Sequence, residues 1–436
     1  MRRMVRLAAF PLVVIACAPS DAVRAARHGD TTALEKAIDP QLRAGKLTDA
    51  DAAAIAKAMG EHEIAEAKGD SGVERLRELR PCASQLSSAL ADRAETHDAV
   101  GAEAAMALVE AQALSDDDAR KYASDPDDGW RAVGALGLVR AKDADARRKA
   151  LVDPSSRVRR AAMRASAEAR DPEDVPALFE AARVDPDLLA RSSAVRAIAR
   201  IDPAGSDVAA RLRDLWAGGD EALREDVALA YASPHIAASG GAEALRVLLA
   251  AGHGAGAVSA AGLVLRRGLP PSAAVFDDDT RKSAVAVLVH AIEDEPRRER
   301  MLALATAPLS EPDLLAAVKK ASHADSDPEL QETALERLLD VPAEKEAAKK
   351  ALLPYASPSS PERLARAARM ALAAAGERSV QAWIEADLKA TSPSAKLLAA
   401  RALASLGRAS RAAPLLADPD VTVRLGAVCT LVRAAK

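Results

Sequence analysis

The chain has 436 residues, 49% of them hydrophobic but only 2% aromatic, and roughly a quarter are alanine, so its core must be built from small side chains. Its 60 basic and 64 acidic residues leave a formal charge of -4 with no basic block, which excludes a dedicated nucleic-acid binder. The apolar fraction excludes a disordered chain, and no run approaches the roughly 18 consecutive apolar residues of a membrane span.

Residues 1–16 read MRRMVRLAAFPLVVIA, with Arg2, Arg3 and Arg6 as a basic opening and Leu7 to Ala16 as an uncharged apolar stretch. That is the pattern of a secretory signal peptide, too short to span a bilayer. Val14-Ile15-Ala16-Cys17 resembles the bacterial lipobox, which implies lipid attachment at Cys17 and an exported chain anchored in the cell envelope. Ala18 after the cysteine resembles the choice that sorts such proteins to the outer membrane. A second reading stays open: Ala16-Cys17-Ala18 also fits an A-x-A cleavage site, which would discard the cysteine and release a soluble periplasmic protein. Loss of residues 1–16 removes three positive charges, so the mature chain carries -4 - 3 = -7 and any membrane attachment must come from the lipid.

Residues 17–113 read as a helical region that caps the N-terminal end of residues 114–436. AARHGDTTALEKAI from Ala25 has the start of an ankyrin-type helix pair, with Gly29-Asp30 at the turn, but it is a single copy. The polar run GEHEIAEAKGDSG, Gly60 to Gly72, is expected to be a solvated connection.

Residues 114–436 repeat. DPDDGWRAVGALG from Asp125, DPSSRVRRAAMRA from Asp153, DPDLLARSSAVRA from Asp185 and DPDVTVRLGAVCT from Asp418 share Asp-Pro, an arginine six residues after the aspartate, and then a small residue. Asp caps a helix and Pro suits its first turn, so each Asp-Pro is expected to start a helix. Gly134, Ala162, Ala194 and Ala427 then let neighbouring helices approach closely. Starts at 125, 153 and 185, and again at 360, 392 and 418, recur every 26 to 32 residues, one helical hairpin per period. One hairpin cannot bury its apolar face alone, so the hairpins must stack.

The pattern resembles HEAT repeats, specifically the short bacterial form also found in phycobilin lyase subunits, over roughly residues 115 to 436. The resemblance implies an all-α fold, a right-handed α-solenoid of stacked hairpins with an N-terminal helical cap. It also implies a hydrogen-bonded ladder between repeats, with pairs Asp125 and Arg131, Asp153 and Arg159, Asp185 and Arg191, and Asp418 and Arg424. The stretch from Pro234 to Ala274 is glycine-rich and lacks the Asp-Pro start.

No catalytic constellation is legible. His62-Glu63 lacks the second histidine of a zinc-binding helix, and no helix presents two histidines one turn apart, so neither metal nor cofactor is expected. Gly252 to Ala257 approaches a nucleotide-binding glycine pattern but has alanine at the last position and no strand before it. The acidic runs Asp116–Asp118 and Asp277–Asp279 precede helices, where carboxylates cap amides. Tyr122, Tyr231, Tyr355 and Trp130 are expected to fill gaps between hairpins rather than anchor a partner.

Two further expectations assume an open stack. Cys82 and Cys429 would lie many tens of ångströms apart at about 10 Å per helix, too far for a disulfide. The last helix, with stripes Val421, Leu425, Val428, Val432 and Val423, Ala427, Leu431, Ala434, would leave one apolar face exposed for self-association or a partner. The function expected is an envelope-anchored interaction scaffold without catalysis, holding an unidentified protein or peptide. The alternative implied by the lyase relatives is an enzyme-associated protein that holds a tetrapyrrole or protein substrate.

Overall fold

The computed structural model describes residues 20–219, 221–266, 276–324 and 327–435, and every regular element in them is helical. Twelve helices form an inner layer, each packed against the next: Gly69–Leu79, Ala99–Glu110, Asp128–Ala141, Ser156–Ala169, Leu188–Ile201, Glu221–Tyr231, Gly254–Leu265, Arg297–Thr306, Pro328–Leu338, Glu362–Ala374, Pro393–Ser405 and Val421–Ala434. The helix preceding each one covers it from outside, as Asp116–Tyr122 covers Asp128–Ala141. The α-solenoid expected from the repeats is therefore present, but its ends meet: Val421–Ala434 packs against Gly69–Leu79 and against Asp49–Ala65. The fold is a ring.

Closure corrects four expectations. Residues 17–113 do not cap a free end, since they supply Gly69–Leu79 and Ala99–Glu110 to the ring, while Asp21–Arg27 and Thr31–Arg43 clasp the seam from outside. Cys82 and Cys429 form a disulfide, with Cα atoms 5.1 Å apart across 347 residues of sequence. The apolar face of the last helix is covered from within, with Val423, Leu425, Ala427 and Val428 all fully buried. A Cβ on Gly60 would stand 3.0 Å from Val428 Cγ1, so the absence of a side chain at Gly60 sets how closely the two helices meet. Nor is the run from Gly60 a solvated connection at its start, because Gly60, Glu63 and Ile64 are buried in Asp49–Ala65, sealed by that same last helix.

The repeat turns differ in one detail from the Asp-Pro helix start. The helices begin two residues later, at N-caps Asp127, Ser155, Asp187 and Asp420. The carboxylates of Asp125, Asp153, Asp185 and Asp418 instead accept from the amide two residues on, at 2.9, 2.8, 2.9 and 3.0 Å. Each aspartate thus shapes the turn before the helix, as Asx turns do, and keeps an oxygen free for a second partner. The close approach expected at small residues is direct: a Cβ on Gly134 would lie 2.1 Å from the backbone nitrogen of Ala123, and Ala162, Ala194 and Ala427 are fully buried.

Candidate functional site: the inner wall and its seam

The partner for that free oxygen comes from the preceding repeat. Arg131 donates Nε and Nη2 to Asp153 at 2.9 and 3.2 Å, and Arg159 does the same to Asp185 at 2.7 and 2.7 Å. Toward its own repeat each arginine offers only Nη1, to the carbonyls of Asp125 and Pro126 or of Asp153 and Pro154. The arginine six residues after each aspartate therefore holds that residue's main chain, and its fork grips the next repeat's carboxylate. Burial works to raise the Asp153 pKa, but the Arg131 and Ser155 hydrogen bonds and the Arg131 and Arg159 charges outweigh it and hold the group below its ordinary value.

Other rungs use residues the repeat pattern does not single out. Asp125 is met by His97 Nε2 at 3.0 Å, and Asp418 by Lys396 Nζ at 2.6 Å. Arg191 departs, donating to the Ala182 carbonyl at 3.0 Å. Arg424 turns to Glu63, at 3.1 and 2.9 Å, while Nη1 binds the Asp418 and Pro419 carbonyls as in the other copies. Arg75 takes the other Glu63 oxygen at 2.9 Å. The seam also includes the Ser410 amide on Asp49 at 2.7 Å.

Arg157 reaches Glu103 at 3.5 Å and Arg164 reaches Glu110 at 3.1 Å, each skipping the helix between. Side chains can bridge alternate helices only on the concave side of a curved layer, so these pairs mark the inner wall. Glu103 is fully buried beneath Arg77, Arg80 and Arg157, whereas Arg164 is half exposed. Gly129 leaves the space, since its Cβ would lie 3.0 Å from Arg157 Nη1.

Trp130 and Tyr231 are buried, and Tyr122 and His97 both pack on the Trp130 ring. Tyr355 donates to Gln331. The acidic runs lie at helix starts: Ser115 caps Asp116–Tyr122, and Asp277 caps Asp278–Asp294 through the Thr280 amide. Gly252 and Gly254 have φ of +73° and +80° in a turn between helices. Among the described residues no group of three or more His, Cys, Asp or Glu side chains is placed to share a metal ion, and no helix is long and apolar enough to cross a membrane. Cys17 lies outside the described residues.

The geometry is that of an α-solenoid built from HEAT-like hairpins. A family model described as HEAT repeats matches residues 117–199 and 144–232. No curated protein matches the sequence. Among solved structures, the chain is similar to Kap121p bound to Ste12p, at 14% identity and TM-score 0.34, over 88% of this chain and 48% of that one. Kap121p bound to Pho4p gives 14% and 0.36 over the same shares. An engineered protein gives 19% and 0.26, over 84% of this chain and 98% of that one. The chain spans about half the length of the Kap121p chains it matches.

Proposed function

We propose that the protein is an exported, lipid-anchored scaffold that binds a protein or peptide against the inner wall of its ring. The observation that carries the binding role is the inner wall itself: a continuous curved surface of twelve helices, lined in part by half-exposed arginines such as Arg164, with no metal cluster among the described residues. Export is supported by the Cys82–Cys429 disulfide, because such bonds persist in oxidising compartments, and by the signal pattern before Cys17. A photo-crosslinking residue placed at Arg164 on the inner wall should capture a partner in cells, and one at Lys282 on an outer helix should not. Equal capture from both positions would refute the inner-wall reading. Cys17→Ser should release the protein from the membrane fraction, and unchanged retention would refute the anchor.

A further inference from the structure

The seam is unlike every other interface in the ring. Neighbouring inner helices elsewhere are joined through the intervening hairpin, but Val421–Ala434 and Gly69–Leu79 are far apart in sequence. Their one covalent link is Cys82–Cys429, with Cys82 in the segment Arg80–Gln85 that follows the first inner helix and Cys429 on the last. Apart from that link the seam is ordinary: Arg424 on Glu63, the Ser410 amide on Asp49, Arg411 on the Leu42 carbonyl, and apolar packing of Val428 beside Gly60. In a stack where each repeat contacts only its neighbours, stability is a sum of interface terms. While the disulfide is intact the ring cannot open at the seam alone, because the two ends stay tied and a second interface must yield. With the bond reduced, one interface suffices.

We propose that Cys82–Cys429 is a redox latch, which keeps the ring shut when oxidised and lets it part at the seam when a dithiol reduces it. One thiolate of the dithiol attacks a disulfide sulfur, forming a mixed disulfide and expelling the other cysteine as thiolate. The second thiol then closes on the mixed disulfide and frees the remaining cysteine. Two electrons and two protons pass to the protein, which ends with thiols at Cys82 and Cys429, while the dithiol becomes a cyclic disulfide. Parting uncovers Val428, which packs beside Gly60, together with Glu63.

The test uses the full chain, oxidised, then treated with dithiothreitol under native conditions, with thiols counted by alkylation and mass. Hydrogen exchange should rise at least tenfold in peptides covering 49–65 and 421–434, stay unchanged in 156–201, and leave the helical dichroism intact. The double variant Cys82→Ser with Cys429→Ser should show the same exchange without reductant and ignore reductant when it is added. Three results overturn the latch: thiols that appear without any change at the seam, exchange that rises equally throughout the chain, or a disulfide that dithiothreitol does not reduce in the folded protein. If the double variant does not fold, the wild-type comparison decides alone.

Discussion

Arg424 meets Glu63 much as Arg159 meets Asp185: each arginine donates Nε and Nη2 to a carboxylate of the next element and holds its own turn carbonyls with Nη1, but Arg159 spans both Asp185 oxygens while Arg424 puts both donors on Glu63 Oε1. The ring therefore closes in register, with a glutamate from inside a helix standing where a turn aspartate stands elsewhere. Its longer side chain reaches the same fork from a different backbone position.

Glu63 is 3% exposed and shared between Arg424 and Arg75, so either arginine alone still neutralises it. Arg424→Ala and Arg75→Ala should each cost about 1 kcal/mol, and the pair together about 3–5 kcal/mol, because only the double variant leaves a buried charge unpaired. Denaturant titration of the four proteins measures the coupling, and strictly additive losses would refute shared pairing.

Within the ladder, Arg159→Ala removes both donors of the Asp185 fork and leaves that carboxylate only the Asp187 amide. The expected loss is about 1–3 kcal/mol, read as a lower melting temperature. Arg191→Ala should cost less, since Arg191 holds one carbonyl and no carboxylate fork.

Glu332 is buried on Pro328–Leu338, and desolvation, helped by the nearby charges of Glu336 and Glu329, pushes its pKa up to about 7. A carboxyl whose folded pKa is raised favours the fold while protonated, so its contribution is complete below the unfolded value near 4.5 and is lost as pH rises through about 7. Glu332→Gln should therefore stabilise the protein by about 2–3 kcal/mol at pH 8 relative to wild type and much less at pH 5. Unfolding curves at the two pH values that shift equally would contradict this.

Four consecutive inner helices end in a non-glycine residue with left-handed backbone: Gln112, Lys142, Arg170 and Asp202, with φ of 58°, 52°, 51° and 54°. Later repeats place Gly376 and Gly407 there, with φ of +82° and +66°. Arg170 is exposed, so Arg170→Gly should relieve the strain and raise stability by about 1 kcal/mol. A fall in melting temperature would show that the arginine side chain contributes more than its backbone costs.

Much of this fold was legible locally. The Asp-Pro copies, the arginine six residues on and the small residues at Gly134 and Ala427 announce hairpins that pack closely, because each acts within one turn or one helix contact. The direction of each pairing was not, since Arg131 could meet Asp125 or Asp153 and only the stacking geometry selects the latter. His97 and Lys396 lie off the repeat pattern, so nothing in their neighbourhood marks them as rungs. Closure left even less trace. It is the sum of many small rotations between neighbours, and its sequence marks are a polar run around Glu63 and two distant cysteines, each of which reads as surface or core when taken alone.

An open solenoid can lengthen or shorten by whole repeats, since a new hairpin only moves the end outward. A ring of twelve inner helices has no such freedom: each step turns the chain by about 30°, and the full circle must be completed for the last helix to find the first. Repeat number is therefore counted by geometry in this protein. A duplicated hairpin would overshoot the meeting point and a deleted one would fall short, and in either case every remaining interface would have to change its angle or Cys429 would miss Cys82.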